Sequence, residues 1–212
     1  MVPEIVSSPL PQTPVPMFPL PGVFLFPAQV LPLHVFEPRY RQMVEDCLDG
    51  PGRIVLSTIV DAREPPSVLP VAGFGEIVRH ERLDDGRFNL WLLGLARVRI
   101  EEVPSDRLYR RVVVQPFHEV QADPAEARDL RARLHAAAQS RLPQKLTLPP
   151  GAPTGVLTDL LLQILRLPQA MTSQIFTEQS VALRARMALE AHDRFPQSPP
   201  DSTSPTDAPE PD

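Results

Sequence analysis

The chain has 212 residues, with 26 acids against 21 bases for a formal net charge of −5, and 28 prolines, about 13% where roughly 5% is usual. Glu4 and the acids Asp201, Asp207, Glu210 and Asp212 account for that whole charge, so the interior 17–195 is neutral and long enough for one large domain or two small ones. A neutral interior excludes the basic footprint of a general nucleic-acid binder, and a single cysteine excludes an internal disulfide framework and any CxxC zinc or redox motif.

Residues 1–16, with five prolines, read as a disordered or polyproline-like leader. The leader has no basic segment and its apolar residues are interrupted, so it does not read as a signal peptide, and a cytoplasmic location with no membrane contact is expected. Residues 17–36 are dense and apolar and hold four of the nine phenylalanines. Prolines inside this stretch confine it to short or edge strands wrapped around a barrel. Phe24 and Phe26 are two apart, so on an extended segment they point the same way. Either both pack into the core or one stays exposed on the proline-rich loop as an anchor for peptide; they are the two candidate peptide-binding residues.

After Pro38 the period changes. Tyr40, Met43, Val44, Cys47 and Leu48 fall on one face of a helix that Gly50 and Pro51 stop. Cys47 on that face reads as a small buried apolar residue, since no base adjoins it. Glu37, Arg39 and Tyr40 form a tempting polar set. Their structural reading is a helix start: Pro38 at the first position, Glu37 near the positive end, and Arg39 paired locally.

Strands follow at 54–60, 74–80 and 88–93, the last two flanking the turn Asp84-Asp85-Gly86. Trp91 alternates along its strand and is expected in the core. Residues 96–101 alternate apolar and charged, which places Arg97, Arg99 and Glu101 on one outward face, read as a solvated, salt-bridged stripe rather than the alternative of an RNA-binding one. A further strand lies in 109–117. His80-Glu81 and His118-Glu119 each begin like HExxH, but Asp84 and Ala122 stand where the second histidine is needed, and the five histidines are scattered, so no metal site is expected.

From Asp123 the character is helical. Asp123-Pro124-Ala125-Glu126 reads as N-cap, first-position proline and a capping-box glutamate, with Leu130, Leu134, Ala137 and Ala138 as the apolar face. A proline-rich break, 143–153, carries the only lysine, Lys145. It follows Gln144, so there is no P-loop and no ATP is expected, and nothing nearby supports a Ser–Lys dyad; GxSxG is absent. Leu157, Leu160, Leu161, Ile164 and Leu165 make the next helix, ended by Pro168, and its apolar run is far too short to span a bilayer. A short helix around Met171, Ile175 and Phe176 and a last one at 181–191 complete the pattern. The order, β-rich then helical, is α+β. Residues 196–212 read as a disordered, acidic, proline-rich tail.

Three stretches resemble the N-terminal domain of the Lon protease and stand-alone Lon-domain proteins. The first runs from Phe18-Pro19-Leu20 through Val23-Phe24-Leu25-Phe26-Pro27 to Leu31-Pro32-Leu33-His34-Val35-Phe36-Glu37-Pro38-Arg39-Tyr40. The second is Gly75-Glu76-Ile77, Asp85-Gly86-Arg87-Phe88-Asn89-Leu90 and Gly94-Leu95-Ala96-Arg97-Val98-Arg99-Ile100. The third spans Leu157-Thr158-Asp159-Leu160, Leu167-Pro168 and Val181-Ala182-Leu183-Arg184. Ala72 stands where the family usually has glycine. The resemblance implies a PUA-like β-barrel at 17–118, a helical subdomain at 119–195, and a module that in the full-length protease engages unfolded or tagged substrates while other domains supply ATPase and peptidase activity. The expectation is therefore a non-catalytic, cofactor-free module for unfolded or extended polypeptide or a protein partner. RNA binding is the alternative, on analogy with PUA domains alone.

Overall fold

The computed structural model of the chain describes residues 10–143, 148 and 151–195; Lys145, the tail 196–212 and the first nine residues of the expected leader lie outside the described residues. Strands β1 (Val15–Pro21) and β2 (Val30–Val35) precede helix α1 (Pro38–Leu48). Strands β3 (Arg53–Ile59), β4 (Val71–Arg82), β5 (Phe88–Val103) and β6 (Arg111–Pro116) follow, then helices α2 (Pro124–Arg141), α3 (Thr154–Leu165), α4 (Gln169–Thr177) and α5 (Val181–Arg194). The sheet order is β2-β5-β4-β3-β1-β6, and an additional β5–β6 pairing closes five of these strands into a barrel with β2 left on the flank. This is the α+β architecture expected, with α1 inserted between β2 and β3 and α2 to α5 gathered after the barrel.

Strand β5 makes the closure possible. Its first half pairs with β2, its last third with β6, and residues Phe88 to Arg99 run against β4. The two strands expected at 88–93 and 96–101 are thus one strand of 16 residues, bent where the β4–β5 register shifts at Phe74/Gly75. Proline in β1 is tolerated because its two ladders do not overlap: Val15 and Pro16 face β6, while Met17 to Pro21 run parallel to β3. The strand therefore begins two residues inside the segment read as leader. Pro32 sits on β2, which pairs on one side only. Ala72 is buried within β4 opposite Val98, away from any turn.

Helix α1 packs Tyr40, Met43, Val44 and Cys47 against Phe18, Ile54, Phe88, Leu90 and Leu92. Pro38 opens it, and Glu37, the N-cap, makes no capping bond; Arg39 pairs with Glu37 at 2.8 Å and lies over the Tyr40 ring. At α2 the Asp123 carboxylate accepts from the Ala125 amide at 2.9 Å. Glu126 does not complete the box; it turns outward to Arg186 of α5. Around α3 the buried side chains include Leu157, Leu161, Leu162 and Leu165, joined by Leu130 and Leu134 of α2, Ile175 and Phe176 of α4 and Ala185, Ala188 and Leu189 of α5.

Two expectations are corrected. Trp91 is half-buried and outside the core, because Phe88, Leu90 and Leu92 take the inward parity of β5 and leave Asn89, Trp91 and Leu93 on the other face. Its ring carries the Arg79 guanidinium at 4.5 Å. Arg97 is not on a solvated stripe: its side chain is 2% exposed, because the helices cover this part of β5. Arg99 and Glu101 do face solvent.

Candidate functional site

The seam between barrel and helices is built on the loop that joins β1 to β2. Gly22 (φ 67°) turns the chain out of β1, and an extended segment then alternates its side chains. Leu25 drops into the barrel core, while Phe24 and Phe26 face the helices and meet Phe176 of α4 at centroid distances of 5.4 and 5.3 Å. The loop lies so close to the sheet that a Cβ on Gly73 would strike the Leu25 carbonyl, and one on Gly94 the Phe26 carbonyl. These glycines set the approach. Gln29 holds the loop in place: its side-chain oxygen accepts from the Phe26 amide at 3.0 Å, and its carbonyl from the Gly94 amide at 2.8 Å. Gly94 in turn accepts from the amide of Ala28 (φ 62°), also at 2.8 Å.

Phe24 and Phe26 are 9% and 4% exposed. Neither is a free anchor on the surface; both form the floor of a cavity of about 400 Å³ between this loop, the end of α3 and the start of α4. Val23, Leu162 and Leu167 complete the apolar lining, and Gln29, Gln163, Gln169 and Arg166 supply the polar rim. The Gln163 amide donates to the Asp159 carbonyl at 3.2 Å and the Gln169 amide to the Ile59 carbonyl at 2.6 Å, so their side-chain oxygens are left as acceptors. No acid lines the cavity. An apolar floor with a few polar groups at the rim, at this volume, is the usual composition of a ligand site.

Beside the aromatic cluster lies a buried ionic group that links three elements and the connection after β6. Arg97 of β5 pairs with Asp159 of α3 and, at 3.2 Å, with Glu119; Arg184 of α5 pairs with Glu119 at 2.7 Å. The Arg97 guanidinium also stacks on Phe176, 4.8 Å from the ring centroid. Burial pushes the Asp159 carboxyl up, and the adjoining Arg97 and Arg184 pull against it without reversing the direction. Two cations and two anions cancel, so this group holds the helices on the barrel and leaves no charge for a ligand in the adjoining cavity of about 230 Å³.

A third cavity, of about 370 Å³, sits at the end of α1. Two of its charges are used internally: Asp46 accepts from the Tyr109 hydroxyl at 2.7 Å and lies 3.5 Å from Arg107. Cys47 borders it, but burial pushes that thiol up to about 12, which leaves it without nucleophilic character at neutral pH. Among the described residues no three histidine, cysteine or acidic side chains come together as a metal site would require, and no helix is long and apolar enough to cross a membrane.

Of the residues that make the seam, the sequence pointed to Phe24 and Phe26 but not to Arg166 or the ionic group. One signal for the latter was available: α3 is apolar on most sides and must be buried, so Asp159 had to be buried and partnered.

Comparison with known proteins places these observations. A family model described as the ATP-dependent protease La (LON) substrate-binding domain matches residues 14–194. The chain is 29% identical to a Lon protease of Dictyoglomus thermophilum over 107 residues, 49% of this chain and 14% of that protein. It is 30% identical over 108 residues to a Lon protease of Desulforamulus reducens, 49% of this chain and 13% of that protein. The chain thus spans about one seventh of the length of these curated relatives. Among solved structures, the N-terminal domain of the Mycobacterium avium complex Lon protease superposes with a TM-score of 0.66 at 17% identity, covering 85% of this chain and 98% of that one. The Lon N-terminal domain protein from Xanthomonas campestris gives 0.63 at 21% identity, covering 84% and 98%. At these identities the likeness is one of fold.

Proposed function

The chain belongs to the Lon substrate-binding domain family, and from that premise we propose that it is a non-catalytic recognition module that holds extended or unfolded polypeptide at the seam between barrel and helices. The observation that carries this reading is the cavity floored by Phe24, Phe26 and Leu162, where apolar side chains meet unused amide oxygens and no acid. Such a surface suits an apolar side chain with its flanking main chain. A non-catalytic role is supported by the pairing of the buried charges, by the depressed reactivity of Cys47, and by relatives that match this chain only along a substrate-binding segment. The arginine stripe that would favour RNA loses Arg97 to the interior.

The test is fluorescence anisotropy with labelled, reduced and carboxymethylated α-lactalbumin, a permanently unfolded protein. Saturable binding is expected, changing little between low and high salt, because apolar capture releases few counterions. Replacing the half-buried rim residue Leu167→Asp should weaken it by about tenfold, on the order of 1.4 kcal/mol, with the thermal melt confirming a folded variant. Undiminished binding by that variant, or a steep loss with salt, contradicts the reading.

A further inference from the structure

Arg166 gives the seam cavity a polarity that its floor lacks. It ends α3 in the left-handed region (φ 49°), a backbone that side-chain-bearing residues rarely adopt, and so turns the chain sharply into Leu167 and Pro168. Arg166 lines the cavity, is solvent-exposed, and among the described residues its side chain makes no hydrogen bond or ion pair. At the same corner α4 begins after its N-cap, Pro168, which offers no capping side chain to the first-turn amides. The negative end of α3 and the positive end of α4 meet here and largely offset each other, so the full charge of Arg166 decides the local sign. The cavity is therefore apolar below and cationic at one edge, with no acid to neutralise it.

A ligand that satisfies both must bring an apolar side chain and a carboxylate together within about 400 Å³. In an extended peptide, neighbouring side chains point to opposite sides, so an acidic residue next to an apolar one carries its carboxylate away from the cavity. The C-terminal residue does not have this difficulty, because side chain and α-carboxylate leave the same Cα. We propose that the seam cavity binds the C-terminal residue of a polypeptide, with its apolar side chain on the Phe24–Phe26–Leu162 floor and its α-carboxylate on Arg166. This rests on the recognition reading above and names the end of the chain it selects.

The test compares three fluorescein-labelled peptides on the full chain: Gly-Ser-Gly-Ser-Gly-Leu-Phe as free acid, the same sequence as C-terminal amide, and an amide ending in Phe-Asp. The free acid is expected to bind at least about tenfold tighter than either amide, as a charge-assisted bond to a guanidinium allows. Arg166→Gln should abolish that preference, bringing the free acid down to the affinity of the amide on the same variant. Arg166→Gly, which suits the left-handed backbone, should do the same and guards against misfolding as the cause. Equal binding of acid and amide, a preference that survives both variants, or tighter binding of the Phe-Asp amide overturns the proposal. If none of the peptides binds but unfolded lactalbumin does, the C-terminal proposal fails and the recognition reading stands; if lactalbumin does not bind either, both fail.

Discussion

Arg184 is fully buried, with its Nη1 on Glu119 at 2.7 Å and its Nε, which has no hydrogen-bond acceptor, 3.9 Å from Asp159. Charges taken this far out of water seldom add net stability, since desolvation offsets their attraction. Asp159 shows the balance. Burial raises its carboxyl above the unfolded value, so its protonation-linked contribution is full below the ordinary carboxylate pKa and is lost as pH rises through the folded one. At neutral pH the group therefore selects one docking of helices on barrel, because any other placement strands a buried charge. Arg184→Met removes one cation from a balanced set and should cost about 3–5 kcal/mol in urea unfolding. The double variant Arg184→Met/Asp159→Leu restores the balance and should recover most of that loss. A single variant within about 1 kcal/mol of the parent would show that the charges are not coupled.

Among the elements, the β1–β2 loop and strand β5 are inseparable. The loop can carry Phe24 and Phe26 to the helices only because Gly73 and Gly94 let its backbone lie on the sheet, and β5 can serve β2 and β6 at once only by bending near Gly94. Gly94→Ala drives a Cβ into the Phe26 carbonyl, which is main chain and cannot swing aside. Its expected cost is about 1–3 kcal/mol of overpacking strain, together with weaker client binding as the floor is displaced. Gly50→Ala, whose Cβ would meet nothing nearer than 3.8 Å, should stay within about 0.5 kcal/mol of the parent. Equal effects of the two would contradict the close-approach role of Gly94.

Across the whole molecule, what could be read in the sequence was periodic and local. The helix faces at Tyr40–Cys47 and Leu130–Ala138, the Asp85-Gly86 hairpin and the matching side of Phe24 and Phe26 all follow from spacing within one element. The opposite parity of Trp91 was equally legible, since Leu90 and Leu92 claim the inward face; its assignment to the core followed residue type instead. Arg97 could not be placed this way. Alternation puts it outward on its strand, but whether outward means water or a helix depends on packing between elements more than 60 residues apart, as the |i−j| of 62 to Asp159 shows. Arg166 was hidden for a similar reason, because its role follows from a left-handed backbone and from two helices meeting.

Pro32, Trp91 and the 61%-exposed Phe36 give the molecule a second apolar area on the β2–β5 outer face, made of residues that do not line the seam cavity. A client held by general stickiness would touch both areas. The decisive measurement is therefore site-specific photo-crosslinking to unfolded lactalbumin, with benzoylphenylalanine at the position of Gln163 on the seam rim or of Val78, exposed on β4 next to Arg79, whose guanidinium lies over Trp91. Crosslinking from the seam position alone, competed by unlabelled client, is the expected result. Crosslinking from Val78 with none from Gln163 would contradict the assignment of recognition to the seam.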